Sequence, residues 1–305
     1  MDERSLHMRL TGVHLLLTYQ CNMECEHCFV WGSPWQSGTM ALSQLRDLLD
    51  QAKSLGTVKW FYFEGGEPFL YYPIMRLGVQ EAAAMGFKVG IVSNGYWAIE
   101  VEDAIEWLMP FSGLVEDLSI SSDFFHWGEE VSIRAQNMRA AAQEVGIPVG
   151  FIGIAQPDAA NVETAMGQLL LGESGVMFRG RAAQTLISKT SLHPWEGFKE
   201  CPHEDLREPG RVHVDPFGHV HVCQGISLGN VFRTSLAEIC EGYDPDTHPI
   251  TGPLLRGGPA TLVRDYGLPH DETYADACHL CDYARRQLRG RYPEILTPDQ
   301  MYGVR

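Results

Sequence analysis

Three cysteines lie within eight residues near the start of the chain, at positions 21, 25 and 28 of the stretch TYQCNMECEHCFVWG. Three thiols exceed what one disulfide needs and are one too few to complete a tetrahedral metal site. His27 is a candidate fourth ligand, but it lies between two of the cysteines and would have to fold back on them. Cysteine thiolates in short loops also hold iron–sulfur clusters. A four-iron cluster with three protein ligands leaves one iron open for a substrate or a cofactor.

A second group of four cysteines lies in the C-terminal part of the chain, at positions 201, 223, 278 and 281. The first two flank RVHVDPFGHVHVC, in which two alternating runs predict a β-hairpin. The last two form a Cys-x2-Cys hook at the start of a predicted helix. Four thiolates complete either a zinc site or an iron–sulfur cluster, and the spacing leaves both open. The eighth cysteine, Cys240 in SLAEICEGY, is expected to be an ordinary buried residue.

Composition and charge narrow the class of protein. The chain has 305 residues, 45% of them apolar, and a formal net charge of −16. No apolar run reaches the ~20 residues that a membrane span needs, and the N-terminal MDERSLHMRL lacks the apolar segment of a signal peptide. We therefore expect a soluble cytoplasmic protein with no membrane partner. The acidic charge also argues against nucleic acid as a partner, and a reducing compartment favours metal ligation by clustered cysteines over disulfides.

The first 180 residues alternate between strand-like and helix-like segments, which predicts an α/β fold with a parallel sheet. We expect six strands rich in β-branched and aromatic residues, at 14–19, 58–65, 87–95, 114–123, 149–155 and 175–182. Five helices connect them, at 42–55, 72–86, 98–109, 131–146 and 161–172. Parallel α/β folds bind ligands at the carboxyl ends of their strands, and Cys21 follows the first of these strands.

The alternation stops after residue 185. The predicted hairpin is followed by a short helix, a Gly/Pro-rich stretch at 244–270 and a helix that begins near Cys281. This region is too irregular to carry a large core alone, and a metal site would supply the missing constraint. We therefore predict two domains, at 1–185 and 186–305.

The loop Cys21-x3-Cys25-x2-Cys28 after a first strand resembles the signature of the radical S-adenosylmethionine (SAM) superfamily. In that family the loop holds a 4Fe-4S cluster whose open iron chelates the amino and carboxyl groups of S-adenosylmethionine (AdoMet). An electron from the cluster cleaves AdoMet to a 5′-deoxyadenosyl radical. The resemblance implies a partial (β/α)6 TIM-like barrel, with the three cysteines as cluster ligands and His27 as an adenine-side contact.

Three further segments resemble AdoMet-binding motifs of this superfamily. Gly65-Gly66-Glu67-Pro68 follows the second strand and matches the GGE motif, where glycines allow close backbone approach and a carboxylate receives the AdoMet amino group. Polar residues end the third and fourth strands, and their hydroxyl and carboxylate groups suit ribose oxygens. A capping or turn role is the alternative for each of them. These residues are Ser93, Asn94, Ser119, Ser121 and Asp123.

The C-terminal cysteine pattern resembles the auxiliary-cluster domain of radical SAM enzymes, in its short twitch form and not the longer, more cysteine-rich SPASM form. The resemblance implies a small α+β domain with a β-hairpin and one auxiliary 4Fe-4S cluster. Its ligands would be Cys201, Cys223, Cys278 and Cys281. The combination of the two sites is similar to that of the 2-deoxy-scyllo-inosamine dehydrogenase family.

These features together predict a radical SAM oxidoreductase. The radical abstracts hydrogen from a substrate C–H bond, and the auxiliary cluster accepts an electron, which completes a two-electron oxidation. Candidate catalytic groups are Glu64, Asp123, His126 and Arg179. Only 20 residues precede Cys21, which we take to favour a small molecule over a peptide as the substrate.

Other reactions fit the same motifs. Oxidative bond formation or epimerisation on a peptide is one alternative, and a non-redox lyase or mutase is another. A non-enzymatic iron–sulfur or zinc protein is a third class, but a scaffold needs no nucleotide site. An enzyme of this kind needs an electron donor such as flavodoxin or ferredoxin.

Overall fold

The structure is a computed structural model that describes residues 8–129, 131–155, 157 and 175–304. Its strands are β1 Gly12–Thr18, β2 Trp60–Gly65, β3 Lys88–Ser93, β4 Val115–Ser121, β5 Val149–Ile152, β6 His193–Pro194, β7 Arg211–Val214, β8 His219–Cys223, β9 Ile226–Asn230 and β10 Thr273–Tyr274. Its α-helices are α1 Leu42–Leu55, α2 Tyr72–Ala84, α3 Val101–Leu108, α4 Phe124–Trp127, α5 Ile133–Glu144, α6 Ala182–Thr185, α7 Leu236–Gly242, α8 Thr251–Tyr266 and α9 Ala277–Leu288. The helix predicted at 161–172 lies outside the described residues.

The main sheet has the strand order β5-β4-β3-β2-β1-β7-β8-β9. Strands β1 to β5 run parallel to one another, as does the β1–β7 pair, and β8 and β9 add two antiparallel pairs. The predicted α/β class with a partial barrel of parallel strands is therefore confirmed. The hairpin predicted from RVHVDPFGHVHVC is also present, as β7 and β8.

The prediction of a sixth core strand at 175–182 is wrong. Residues 175–179 pair with no strand among the described residues, and α6 begins at Ala182. The backbone here bonds to the cysteine loop, since the N–H of Arg181 donates to the carbonyl of Cys28 over 3.0 Å. That contact replaces a strand ladder and fixes the segment beside the cysteines.

The sheet separates two kinds of side chain by strand alternation. On β1, Val13, Leu15 and Leu17 point into the main hydrophobic core, which also holds the buried face of α1. The opposite face of the sheet, here called the inner face, carries His14 on β1 and Tyr62 and Glu64 on β2. Polar groups are therefore gathered on the inner face while the helices cover the other.

A buried polar network joins the first strand to the hairpin. Asp215 accepts a hydrogen bond from the hydroxyl of Tyr19 over 2.8 Å, and its carboxylate lies 3.2 Å from His221 Nε2. All three residues have no solvent-exposed surface. With the β1–β7 pairing, this network makes the hairpin an extension of the core sheet. The predicted domain boundary after residue 185 falls at the end of α6.

Of the C-terminal helices, α8 was not predicted and α9 begins earlier than the sequence indicates. The Gly/Pro-rich stretch at 244–270 contains α8, which bends at Gly257 and Gly258 before Pro259. Gly258 has φ of 64°, and a Cβ there would lie 2.3 Å from the backbone nitrogen of Glu200. Helix α9 starts at Ala277 and not near Cys281, because Asp276 caps it by accepting from the N–H of His279. No helix among the described residues is long and apolar enough to cross a membrane.

The hydrogen bonds among Tyr19, Asp215 and His221 give a test of how the first strand is joined to the β7–β8 hairpin. Tyr19→Phe should lower the free energy of unfolding by about 1–3 kcal/mol, because it leaves a buried carboxylate short of a donor. Anaerobic chemical denaturation measures this loss. Tyr283→Phe is the matched control, since the Tyr283 hydroxyl makes no hydrogen bond within the described residues. Equal losses in the two variants would contradict the role given to the network.

Candidate functional site

The three N-terminal cysteines lie together in a loop at the carboxyl end of β1. All three line a cavity of about 230 Å³, here called the loop cavity. Backbone N–H groups point at their sulfurs, from Met23 to Cys21 over 3.4 Å and from Gly32 to Cys28 over 3.2 Å. Donors aimed at sulfur stabilise a thiolate, which is the form that binds metal.

Cys21 and Cys25 lie where the thiolate form is costly without a neighbouring positive charge. Burial raises the pKa of Cys21 to about 12, and it also raises the pKa of Cys25, with further contributions from the neighbouring cysteines. A bound cationic group would reverse this cost, because metal binding requires the thiolate. The donor set of three sulfurs beside a cavity therefore fits a 4Fe-4S cluster with one open iron.

Arginine 181 fixes the shape of the cysteine loop. Its guanidinium donates to the carbonyl of Cys25 over 2.6 Å and to the carbonyl of Gly32 over 2.8 Å. Gly180 precedes it with φ of 61°, and a Cβ there would lie 2.6 Å from the backbone of Phe29. This segment thus clamps the loop from the C-terminal side, a role that the sequence analysis did not give to Arg181.

The turn after β2 touches the same loop. Gly66 donates its N–H to the carbonyl of Thr18 over 2.7 Å, and a Cβ on Gly66 would lie 2.1 Å from the carbonyl oxygen of Gln20. Only glycine permits this approach. Gly65 and Gly66 line the loop cavity, as predicted for an AdoMet-binding turn. Pro68 is buried in the 3-10 turn that follows and does not line the cavity.

Glu67 lies behind the wall of the loop cavity and not in it. Its carboxylate accepts hydrogen bonds from the N–H groups of Phe69 and Asn94 and from the hydroxyl of Ser93, at 2.8–3.0 Å. Burial raises the pKa of Glu67 to about 7, and these hydrogen bonds partly oppose the rise. The carboxylate therefore ties the glycine turn to the end of β3, and its contact with the AdoMet amino group stays a prediction.

The strand ends that follow contribute polar side chains to the loop cavity. Ser93, Asn94, Ser121 and Asp123 line it, whereas the hydroxyl of Ser119 donates to Asp117 over 3.1 Å, outside it. The Asn94 amide reaches Asn22 over 2.9 Å. These groups surround the space where the ribose and amino acid parts of AdoMet are predicted to bind.

Asp123 and His126 form a fixed pair at the rim of this cavity. Asp123 caps α4 and lies 2.8 Å from His126 Nδ1, and it also accepts from the N–H of Ile154 over 3.0 Å. His27 lies against His126 and Phe125, with ring centroids 5.0 and 4.8 Å apart. Burial lowers the pKa of His27 to about 4, and the ring lines the cavity. The adenine-side contact of His27 stays a prediction.

The four C-terminal cysteines meet in one second cavity, here called the auxiliary cavity. Cys201 comes from the loop before β7, Cys223 from the end of β8, and Cys278 and Cys281 from the first turns of α9. Burial raises the pKa of Cys201 to about 11 and of Cys281 to about 12. Four converging sulfurs are the number that would complete a metal site without an open position.

Two buried arginines line the auxiliary cavity. Arg179 Nη1 lies 3.6 Å from the sulfur of Cys223 and 3.0 Å from Glu204. Arg285 donates to the carbonyl of Gln224, and its charge lies beside Cys281 and Cys223. Burial opposes the charge on Arg179, but the charges of Cys223, Glu204 and Cys278 raise its pKa above the usual value. The predicted catalytic residue Arg179 thus belongs to the auxiliary cavity.

A third polar group lies on the inner face, and sequence analysis found only one of its members. Glu64 Oε2 lies 3.2 Å from His14 Nδ1, and Glu64 Oε1 lies 3.1 Å from His213 Nε2. His14 also borders a cavity of about 370 Å³ with Trp60, Tyr62, Glu204 and Arg211, here called the inner cavity. The alternation of β1 and β7 could have placed both histidines on one face, but the β1–β7 pairing joins residues 199 apart and was not predictable.

The comparisons with known proteins agree with this site. Residues 15–115 match the family described as the Radical SAM superfamily. The resemblance drawn from the cysteine loop is therefore confirmed, and this part of the chain is a radical SAM domain. The match covers the cysteine loop, the glycine turn and the end of β3.

One relative and two solved structures extend over most of the chain. The Bacillus subtilis (strain 168) protein named "Putative peptide biosynthesis protein YydG" is 23% identical over 80% of this chain and 78% of its own length. The structure of anSMEcpe with bound AdoMet is 12% identical, covers 92% of this chain and 99% of its own, and has a TM-score of 0.53. BtrN in complex with AdoMet and 2-DOIA is 16% identical over 80% of this chain and 85% of its own, with a TM-score of 0.49.

The glycine turn gives a direct test of the loop cavity. Gly66→Ala should displace the cysteine loop, because the new methyl group meets the backbone of Gln20. We expect iron in the reconstituted protein to fall from about eight to about four per chain, with the auxiliary site intact. Gly242→Ala is the control, since a Cβ there has no neighbour within 4 Å. Full iron content in Gly66→Ala would contradict the contact.

Proposed function

We propose that this protein is a radical SAM oxidoreductase that removes two electrons from a substrate C–H centre. A 4Fe-4S cluster at Cys21, Cys25 and Cys28 would supply the electron that cleaves AdoMet, and the resulting radical would take the hydrogen atom. The observation that carries the proposal is the pairing of two different thiol sites in one chain. One has three sulfurs beside a cavity of about 230 Å³, and the other has four sulfurs around a cavity of about 20 Å³.

The residues of the loop cavity support AdoMet binding. Gly65 and Gly66 offer backbone groups at the cavity wall, Asn94 and Ser93 lie beside them, and Asp123 lies across the cavity. Backbone and amide groups suit the methionine part, and a carboxylate suits the ribose hydroxyls. Glu67 keeps the wall in place from behind. We therefore retain the predicted AdoMet site with a supporting role for Glu67.

The closed auxiliary site supports an oxidation. Four thiolates leave no iron position for substrate, so a 4Fe-4S cluster there would serve as an electron acceptor. Two buried guanidiniums, from Arg179 and Arg285, lie beside its ligands and favour the more negative, reduced state. His203 and Glu204 line both the auxiliary cavity and the inner cavity. A substrate in the inner cavity would therefore lie next to the acceptor.

Glu64 is the catalytic candidate whose contacts join the loop cavity to the inner cavity. It lines the loop cavity and is joined to His14, which lines the inner cavity. Asp123 and His126 are bound to each other on the predicted AdoMet side, and Arg179 is bound to Glu204. Burial would raise the pKa of Glu64, but His14 and His213 lower it well below its usual range. A carboxylate with so low a pKa is a weak base, so we propose that Glu64 positions His14 and His213 and does not take the substrate proton.

The cysteine inventory disfavours an epimerase that donates hydrogen from a free thiol. All eight cysteines lie within the described residues, and seven belong to the two sites. The eighth, Cys240, is buried in α7 within the main hydrophobic core. Oxidation needs no spare thiol, so it ranks above epimerisation here.

The substrate is either a small molecule or a peptide. The inner cavity of about 370 Å³ has room for a small molecule or for one or two side chains. Similarity to a relative named for peptide biosynthesis favours a peptide. We further propose a cytoplasmic location and reduction by a flavodoxin or ferredoxin, since exposed iron–sulfur chemistry needs a reducing compartment.

Anaerobic reconstitution tests the proposed activity. The protein should take up about eight irons and form 5′-deoxyadenosine when AdoMet and dithionite are added. Cys25→Ala should lose this activity and keep about half of the iron, whereas the matched variant Cys240→Ala should keep both. Zinc in place of iron, or no 5′-deoxyadenosine from the intact protein, would contradict the proposal.

The buried arginines give a second test, directed at the acceptor. Arg179→Met should make the reduction potential of the auxiliary site more negative by about 59 mV or more, which is tenfold in the equilibrium constant for one electron. Potentiometric EPR of a variant without Cys21, Cys25 and Cys28 isolates this site. Arg207→Met is the control, because Arg207 pairs with Asp246 at the exposed surface. An unchanged potential in Arg179→Met would contradict the proposal that this arginine favours the reduced state of the auxiliary site.

A further inference from the structure

Three neighbouring strands each place one metal-ligating side chain on the inner face. His14 on β1 is paired in register with His213 on β7, and Leu16 of β1 is paired with Glu64 on β2. The side chains of a strand alternate between faces, so these three point to the same side. They meet between the loop cavity, which Glu64 lines, and the inner cavity, which His14 lines.

The donor atoms of this group lie at distances typical of ligands to one ion. Nδ1 of His14, a carboxylate oxygen of Glu64 and Nε2 of His213 all lie within 4.8 Å of one another. The two nitrogen–oxygen distances are 3.2 and 3.1 Å. Two ligands bound at about 2.1 Å, with an angle between 90° and 109° at the metal, are separated by about 3.0–3.4 Å.

The contact with His213 is close but does not have the geometry of a regular hydrogen bond. Glu64 Oε1 is buried and has no hydrogen bond of regular geometry within the described residues, although His213 Nε2 lies 3.1 Å away. Two ligands of one ion lie close to each other in this way, since each directs a lone pair at the ion and not at the other ligand. The contact between His14 and Glu64 is a regular hydrogen bond and fits either arrangement.

The surroundings hold the ligands in place. The ring of His14 stacks on Tyr62 at 4.6 Å and 14°, and Tyr62 donates to Asp117 over 3.1 Å. His213 is nearly fully buried and lies edge-on to Phe29, which follows the last cysteine of the loop. Rings fixed in this way lose little freedom when they bind an ion.

We propose that His14, Glu64 and His213 bind one divalent transition-metal ion, such as Fe²⁺, Zn²⁺ or Co²⁺. Two imidazoles and one carboxylate are the ligands of sites that keep open coordination positions. One carboxylate charge would leave the complex cationic, and His14 is the ligand that lines the inner cavity. The ion would bind an oxygen or nitrogen atom of the substrate there. This site goes beyond the proposed oxidation and does not depend on it.

The test uses Co²⁺ as the only added probe. The holoenzyme is kept in its oxidised state, in which its 4Fe-4S clusters give no EPR signal, and is titrated with Co²⁺. We expect one high-spin Co²⁺ to bind per chain and to stay bound through gel filtration. Glu64→Gln should weaken binding on the order of 100-fold or more, because even substitutions behind the ligands cost 10- to 100-fold. His213→Asn should have a similar effect.

Glu116→Gln is the control, since it removes a carboxylate that pairs with Lys88 at the exposed surface, away from the three ligands and the residues that hold them, and should leave Co²⁺ binding unchanged. Iron content near the full value in every variant shows that the protein is folded and that Co²⁺ has not entered a thiol site. No retained Co²⁺, or equal binding in Glu64→Gln and the unaltered enzyme, would overturn the proposal. AdoMet cleavage is measured separately, so failure of the metal site and failure of the proposed oxidation are distinguishable.

Discussion

The gathering of seven thiols around two cavities is the constraint on which the rest of the structure depends. A buried thiolate is costly without a positive charge, and burial raises the pKa of Cys21 to about 12 and that of Cys281 to about 12. Bound iron would supply that charge. The clamp by Arg181, the N–H groups aimed at the loop sulfurs and the arginines of the auxiliary cavity all serve thiolates in these positions. The fold thus makes sense as a support for two metal centres.

Strand β1 connects these centres. Its carboxyl end leads into Cys21, its edge pairs with β7 of the hairpin that ends at Cys223, and its inner face carries His14. The Tyr19–Asp215 hydrogen bond strengthens the same connection. Because one sheet carries both sites, the space between them is lined by fixed strands, which suits a reaction in which an electron leaves the substrate towards a nearby acceptor.

Local signals predicted much of this arrangement. Helix α1 and the ends of β2 and β4 follow from periodicity, and the cysteine spacing identified the loop that the family match confirms. Contacts between residues far apart in the sequence could not be predicted from such local signals. The β1–β7 pairing puts His213 beside His14, and the backbone of Arg181 bonds to the cysteine loop in place of a sixth strand. Glu67 was singled out by its motif, but the direction of its side chain depends on Ser93 and Asn94, which lie one strand away.

The central claim is that one chain holds two unlike iron–sulfur centres, one open and one closed. Mössbauer spectroscopy of protein reconstituted with ⁵⁷Fe tests it most directly. The account predicts that all iron belongs to two 4Fe-4S clusters in equal amounts, and that AdoMet changes the isomer shift of a single iron in one of them. Two results would contradict it. One is iron in a single cluster with zinc at the C-terminal cysteines, and the other is two clusters whose isomer shifts do not change with AdoMet.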